Sequence, residues 1–270
     1  LDFLLIMGLD MYSDGAAIAT VCAEYLGCAI ALYAVSKKMP AIDWSVLAND
    51  MKKASAYKQL VQSNRHLFVR TFCLLFTFAF FTAQGENLGT SVLAANTLML
   101  QLMMMAAYGM DGFAFAAEGL CGQHLGARQL PDFYQAVRRC ALWTAIAATV
   151  VSLSLWLLQA PLVELLTGLD SVKELMLLYF PWLILLPLVA GPSYLLDGVF
   201  IGAAETQYMM STMILSLFLV YLPLWYVTRD MGNHGLCLAF TAFNLARGVT
   251  LYYWFARLSR GQQWLRANPD

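Results

Sequence analysis

The chain has 270 residues, 60% of them hydrophobic and only 12% charged, with a formal net charge of −1 and a mean hydropathy of +0.63. A soluble domain carries about 25% charged residues, so this composition excludes an ordinary soluble domain. No nucleic-acid partner is expected, although the net charge itself says nothing on that point, because charge in such a chain is distributed by topology. Four stretches, 87–110, 140–163, 175–196 and 206–228, contain no Asp, Glu, Lys or Arg. Each matches the roughly 20 residues a helix needs to cross about 30 Å of hydrocarbon. Backbone polar groups must be satisfied internally in lipid, so the sequence predicts an all-α integral membrane protein, a polytopic helix bundle embedded in the lipid bilayer.

In chain order, the first apolar run, LDFLLIMGL at 1–9, covers less than half a bilayer at 1.5 Å per residue. It is expected to be the remainder of a helix whose beginning lies upstream. Seven complete spans follow, at 14–36, 66–84, 90–120, 132–159, 172–203, 206–228 and 232–258. The long hydrophilic stretch 37–65 repeats Trp44, Leu47, Met51 and Ala54 at three- and four-residue steps, with Lys52, Lys53 and Lys58 elsewhere. That pattern suits an amphipathic helix in the membrane interface or, equally, a short solvated linker helix.

Basic residues set the orientation. With 37–65 cytoplasmic, the cytoplasmic segments hold Lys37, Lys38, Lys52, Lys53, Lys58, Arg65, Arg128, Arg138, Arg139, Arg257, Arg260 and Arg266. The opposite side holds Lys173 and Arg229 only. A multi-pass protein of the plasma (inner) membrane is expected, with 37–65 and the C-terminus in the cytoplasm.

Seven ionisable residues fall inside apolar segments: Asp2, Glu24, Arg70, Asp111, Glu118, Asp197 and Arg247. A charge at the bilayer centre costs about 2.5–3.5 kcal/mol even on gentle insertion scales, so several together predict a polar interior. Two runs repeat a theme, YGMDGFAFAAEG at 108–119 and YLLDGVFIGAAE at 194–205, each with Tyr-x-x-Asp-Gly and a later glutamate. Asp111 and Glu118 are seven residues apart and share a helix face, with Glu118 towards the cytoplasmic end. Arg70, Arg247, Glu24 and Asp2 suit helix-pairing charges. Asp197 and Asp111 suit ion binding, because burial disfavours the charged carboxylate and intramembrane acids commonly relay protons. Tyr108, Tyr194, Gln101 and Asn96 complete the candidate cavity.

Pro181, Pro187, Gly191, Pro192 and Gly198 gather in one span and are read as a hinge, since each interior proline removes a backbone hydrogen bond. The run TLMLQLMMMAAYGM at 97–110 carries five methionines, a side chain that adapts to differently shaped apolar partners and equally fills cores. The six cysteines lie in apolar segments and read as inert thiols. His66, His124 and His234 are too scattered for a metal site. No Ser/His/Asp set, H-E-x-x-H motif or nucleotide loop marks an enzyme.

The runs DGAAIATVCAEY (14–25), AANTLMLQL (94–102), YGMDGFAFAAEGLCGQHLGAR (108–128) and YLLDGVFIGAAET (194–206) resemble the multidrug and toxic compound extrusion (MATE) family, and its DinF-like branch most closely. The resemblance covers nearly the whole chain; its most specific element is the helix ending Gly122-x-x-x-Gly126-Ala127-Arg128. It implies about half of a twelve-helix, two-lobe transporter. Residues 1–36 would end the N-terminal lobe, 37–65 form a cytoplasmic linker, 66–259 the C-terminal six-helix lobe and 260–270 a cytoplasmic tail. The implied function is antiport of hydrophobic or cationic compounds against H+ or Na+ by alternating access, with no cofactor beyond the coupling ion. The rest of the N-terminal lobe would be the main partner. Asp197 matches an acidic position on the tenth helix of some members. The glutamate those members carry on the seventh helix has no counterpart within 66–84, where Glu86 lies just beyond. Alternatives are a lipid-linked oligosaccharide flippase of the same superfamily, or a lobe inactive on its own.

Overall fold

The computed structural model describes Leu5 and residues 12–38, 54–261 and 263–265. Asp2, the apolar run 1–9, most of the proposed interfacial helix (Trp44, Leu47, Met51) and the end of the tail lie outside the described residues. The chain divides into two compact units, Leu1–Lys58 and Gln59–Asp270, so the division falls within the predicted 37–65 linker.

In the first unit, α1 (Tyr12–Lys38) is a single helix of 27 residues. Its apolar side chains Val21, Tyr25, Leu26, Ile30, Leu32 and Tyr33 are all exposed, as is Glu24.

The second unit is a bundle. It contains α2 (Ala54–Asn87) from Gln59 onward, α3 (Thr90–Gly126), α4 (Leu130–Leu157), α5 (Gln159–Leu166) and α6 (Asp170–Gly202). These are followed by α7 (Thr206–Leu215), a π-helical segment (Ser216–Tyr221), α8 (Leu222–Thr228) and α9 (Asn233–Arg260). Among the described residues six helical stretches are long and apolar enough to cross a membrane: Ala17–Lys37, Asn64–Asn87, Thr90–Gly126, Leu130–Leu157, Asp170–Gly202 and Thr206–Met231. They coincide with six of the seven full spans read from the sequence. The seventh, 232–258, is α9, which at 28 residues is long enough but carries Arg247, Arg257 and Arg260 and is less apolar.

Two predicted spans are interrupted, and proline accounts for both. The 132–159 span stops at Leu157, and α5 restarts at Gln159. Pro161 cannot donate to the Leu157 carbonyl and its ring collides with it. In the 206–228 span, Pro223 removes the donor for the Leu219 carbonyl, and the backbone widens into the π-helical segment 216–221 one turn earlier. By contrast, α6 is helical without a break from Asp170 to Gly202 although Pro181, Pro187 and Pro192 lie inside it.

The helix α6 is the strut of the bundle, packing against α3, α4 and α9. Its first half joins a core with Met99, Met103, Phe180, Tyr221, Phe240 and Phe243. Its second half joins another with Phe133, Val199, Phe200, Met209, Leu251 and Trp264. The closest approach is to α3: a Cβ on Gly198 would overlap the Ala114 carbonyl oxygen, and one on Gly202 the Glu118 carbonyl oxygen. Gly198 and Gly202 thus form the small-xxx-small pattern that lets membrane helices approach backbone to backbone. The helices α3 and α6 also end alike. Arg128 (φ 58) and Ala204 (φ 59) occupy the left-handed region, and the amides of Gln129 and Glu205 bond back to the carbonyls of His124 and Phe200 at 2.8 and 2.9 Å, as in a Schellman ending.

Candidate functional site

Three charged residues far apart in sequence meet in the middle of the bundle. Asp197 on α6 is 6% exposed. Its Oδ2 accepts from Arg247 Nη2 on α9 at 2.8 Å and from Arg70 Nη2 on α2. Arg247 is the more deeply buried partner, its side chain 3% exposed against 19% for Arg70. Its Nη1 reaches Asn244 Oδ1 at 3.5 Å, and the Asn244 amide donates to the Phe240 carbonyl at 3.0 Å. The Phe243 ring lies 5.7 Å from the Arg247 guanidinium, within cation–π range. A lone buried carboxylate costs several kcal/mol, and here two guanidiniums on one oxygen offset that cost. The cluster ties α2, α6 and α9 together.

Beside it lies a cavity of about 150 Å³, bounded by α2, α3, α6 and α9. That is the volume of an engineered protein cavity known to hold benzene, so the space suits one aromatic ring. Arg70, Arg247, Asn244, Tyr108, Asp111 and Tyr194 form its polar lining; Phe78, Met103, Met104, Met110, Phe240 and Phe243 are among its apolar lining. Tyr108 is 71% exposed and stands at the rim. Asp111 is half-buried.

The sequence reading and the structure divide the residues differently. Arg70 and Arg247 do pair with an acid, and they also line the cavity. Asp197 is not among the lining residues: it lies behind the two guanidiniums that neutralise it, so the cavity's own acid is Asp111. The two Tyr-x-x-Asp-Gly runs are neighbours, since Tyr108, Asp111 and Tyr194 share the cavity and Gly198 packs on Ala114. Gln101 is exposed and Glu118 half-buried, and neither lines this cavity. Asn96 is 1% exposed and exchanges two hydrogen bonds with Asn233 on α9, at 2.8 and 2.9 Å. Amides so satisfied hold helices together and leave little to offer a ligand. Glu24 belongs to the first unit.

Of the residues read as a hinge, Gly191 and Gly198 occupy helix contacts. A Cβ on Gly191 would stand 3.5 Å from Ala148 Cβ, and Gly198 meets Ala114 as above. Pro187 is buried and lines the cavity, while Pro181 and Pro192 are exposed. Two histidines join helix ends: His66 Nδ1 lies 3.2 Å from Thr206 Oγ1, and Trp182 Nε1 donates to His234 Nδ1 at 3.2 Å. Sequence reasoning missed Asn244. Its signal was the three-residue step to Arg247, which places both on one face of α9.

A bundle of apolar helices around an interior charge cluster is the architecture of a membrane-spanning protein. A Vibrio cholerae MATE transporter, VcmN in its bent form, superposes with a TM-score of 0.78 at 22% identity, covering 99% of this chain and 59% of that one. An outward-facing multidrug resistance MATE family transporter of the MOP superfamily gives 0.83 at 16% identity, covering 97% and 60%. The MatE family model matches residues 67–227, and the chain belongs to that family, in its DinF-like branch. It is 35% identical over 274 residues to the Escherichia coli (strain K12) DNA damage-inducible protein F. It is 24% identical over 254 residues to the Arabidopsis thaliana Protein DETOXIFICATION 43. The family's members are transporters, not enzymes. The chain spans 58% of the first relative and 46% of the second.

Proposed function

We propose that this chain supplies the C-terminal lobe, and the end of the N-terminal lobe, of a secondary antiporter that exports hydrophobic or cationic compounds in exchange for H+ or Na+. In this reading α9 is also a span, so the chain crosses the bilayer seven times after a partial first helix, with 37–65 and the C-terminus cytoplasmic. The rest of an N-terminal lobe closes the pathway, and the two lobes alternate in the direction they face. The observation that carries the proposal is the cavity: methionine and aromatic walls take an apolar body, and Asp111 presents an unshared carboxylate to a cation. Membership of the MatE family supports the same reading. The prolines of α6 weaken its backbone hydrogen bonds where bending would open or close that cavity. A flippase for lipid pyrophosphates calls for a markedly cationic cavity, whereas both guanidiniums lining this one are paired with Asp197 and share the lining with Asp111.

Reconstitution of the complete two-lobe transporter in liposomes, with an imposed proton or sodium gradient, tests this. Dye efflux should follow one of the gradients and fall when Asp111 is changed to Asn. Efflux indifferent to both gradients would refute antiport. Efflux by the 270-residue chain alone would show that a second lobe is not needed.

A further inference from the structure

A second, separate space in the second unit lies away from the charge cluster. It is a groove of about 370 Å³ between α4, α6 and α9, with Val137, Pro192, Leu196, Gly248, Val249 and Tyr252 among its lining residues. It shares no lining residue with the cavity of the candidate site. Its walls are apolar apart from the Tyr252 hydroxyl. It opens outward, since Val249 and Tyr252 are 60% and 64% exposed.

Three features say what fills it. The first is length. Its residues on α9 run from Leu245 to Phe255 along one face, a rise of about 15 Å, which is half of the roughly 30 Å hydrocarbon core. The groove is therefore one leaflet deep. The second is charge at one end only. Arg138 lies one turn before Ala141 of the groove wall, and both Arg138 and Arg139 are exposed. They are the last charges before the uncharged stretch 140–163, and on α9 the uncharged run 248–256 ends at Arg257. In the proposed topology the guanidiniums fall where hydrocarbon gives way to headgroups, and their planar donor fork suits phosphate. The third is the floor. At Gly248 a Cβ would stand 3.8 Å from Pro192 Cβ, so the glycine leaves the groove deep without being forced by a clash.

We propose that this groove holds one acyl chain of an anionic phospholipid, with Arg138 at the headgroup phosphate. Its walls include Leu245, Gly248 and Leu195, the chain neighbours of Asn244, Arg247 and Tyr194. The lipid thus bears on the same helical turns that line the cavity.

Native mass spectrometry of the full-length protein, after exchange into an equimolar mixture of phosphatidylglycerol and phosphatidylcholine with identical acyl chains, tests the assignment. Wild type should retain one phosphatidylglycerol. The double variant Leu245→Trp/Val249→Trp fills the groove from positions already exposed, so it should fold and retain at least tenfold less. Arg138→Gln should lower phosphatidylglycerol retention about fivefold, the effect of one basic residue beside an anionic surface, and lower that of phosphatidylcholine less, because the choline cation offsets the charge of its phosphate. Retention undiminished in the filled variant overturns the proposal. So does equal retention of both lipids, or a dimer of the protein that the tryptophans disrupt. Unchanged melting temperature in the two variants separates lost lipid from lost fold.

Discussion

Asp197→Asn is the sharpest probe of the interior cluster. The replacement is nearly isosteric and leaves an amide oxygen to accept from the guanidiniums, so the packing is kept and the anion alone is removed. Arg247, with 3% of its side chain exposed, then keeps a neutral amide oxygen, the distant Asn244 oxygen and the Phe243 ring, with no anion to balance its charge. Breaking a buried ion pair in this way costs about 3–5 kcal/mol, because an uncompensated charge stays behind. Arg70, 19% exposed and facing the cavity, is more readily hydrated and adds less. Arg70→Gln should therefore be the mild change, since it leaves one carboxylate with one guanidinium. The expected order of destabilisation is Asp197→Asn, then Arg247→Gln, then Arg70→Gln. The chain brings its own reporter: Cys73, Cys121, Cys140 and Cys237 are buried and free, while Cys22 and Cys28 are exposed. Heating the purified protein with a thiol-reactive fluorophore reads unfolding as the four buried thiols emerge. At about 2–4 °C per kcal/mol for a chain of this size, Asp197→Asn should lower the transition by roughly 6–20 °C. A shift within 2 °C, or a larger loss from Arg70→Gln, would refute the view that this anion is held in dry, charge-compensated packing.

Three further changes probe the scaffold. Gly198→Ala drives a methyl into the Ala114 carbonyl and should cost about 1–3 kcal/mol, seen in the same thermal assay; an unshifted transition would show that α3 and α6 separate easily. Ala204→Gly relieves a left-handed residue and should raise stability by about 1 kcal/mol, whereas a loss would place the helix ending under tertiary control. Asn96→Leu leaves the Asn233 amide unsatisfied and should cost about 1–3 kcal/mol. Adding Asn233→Leu should recover part of that loss, and strictly additive losses would count against the reciprocal pair.

Hydropathy made the helices legible because each span must satisfy its own backbone, and that requirement leaves long uncharged runs in the sequence. The breaks were less legible. Pro161 interrupts a span at Leu158 and Pro223 yields a π-helical segment, yet three prolines leave α6 continuous. Proline removes a donor in every case, and the surrounding packing decides whether the helix yields. Glycine was misleading in the same region. Gly191 and Gly198 look alike beside three prolines, but only Gly198 has a helix backbone close enough to exclude a methyl, and that neighbour is invisible without the fold.

The interior charges were visible as residues and not as an arrangement. Arg70, Asp197 and Arg247 are separated by 127 and 50 positions, and nothing local to any of them names its partners. Hydrophobic surroundings implied that each buried charge needed compensation; they did not say which carboxylate would be compensated. The structure resolves that by numbers. Two guanidiniums converge on one oxygen of Asp197, leaving Asp111 as the acid that faces the cavity with no ion-pair partner among the described residues. The two Tyr-x-x-Asp-Gly runs therefore differ in use although they lie side by side. One aspartate fixes three helices, and its counterpart across the α3–α6 contact lines the cavity without an ion-pair partner among the described residues. A ligand at Asp111 would sit against Arg70 and Arg247, so its charge is felt by the same guanidiniums that hold Asp197. If the proposed ligand binds there, binding in the cavity and the tightness of the helix-tying cluster should be coupled through those two shared side chains.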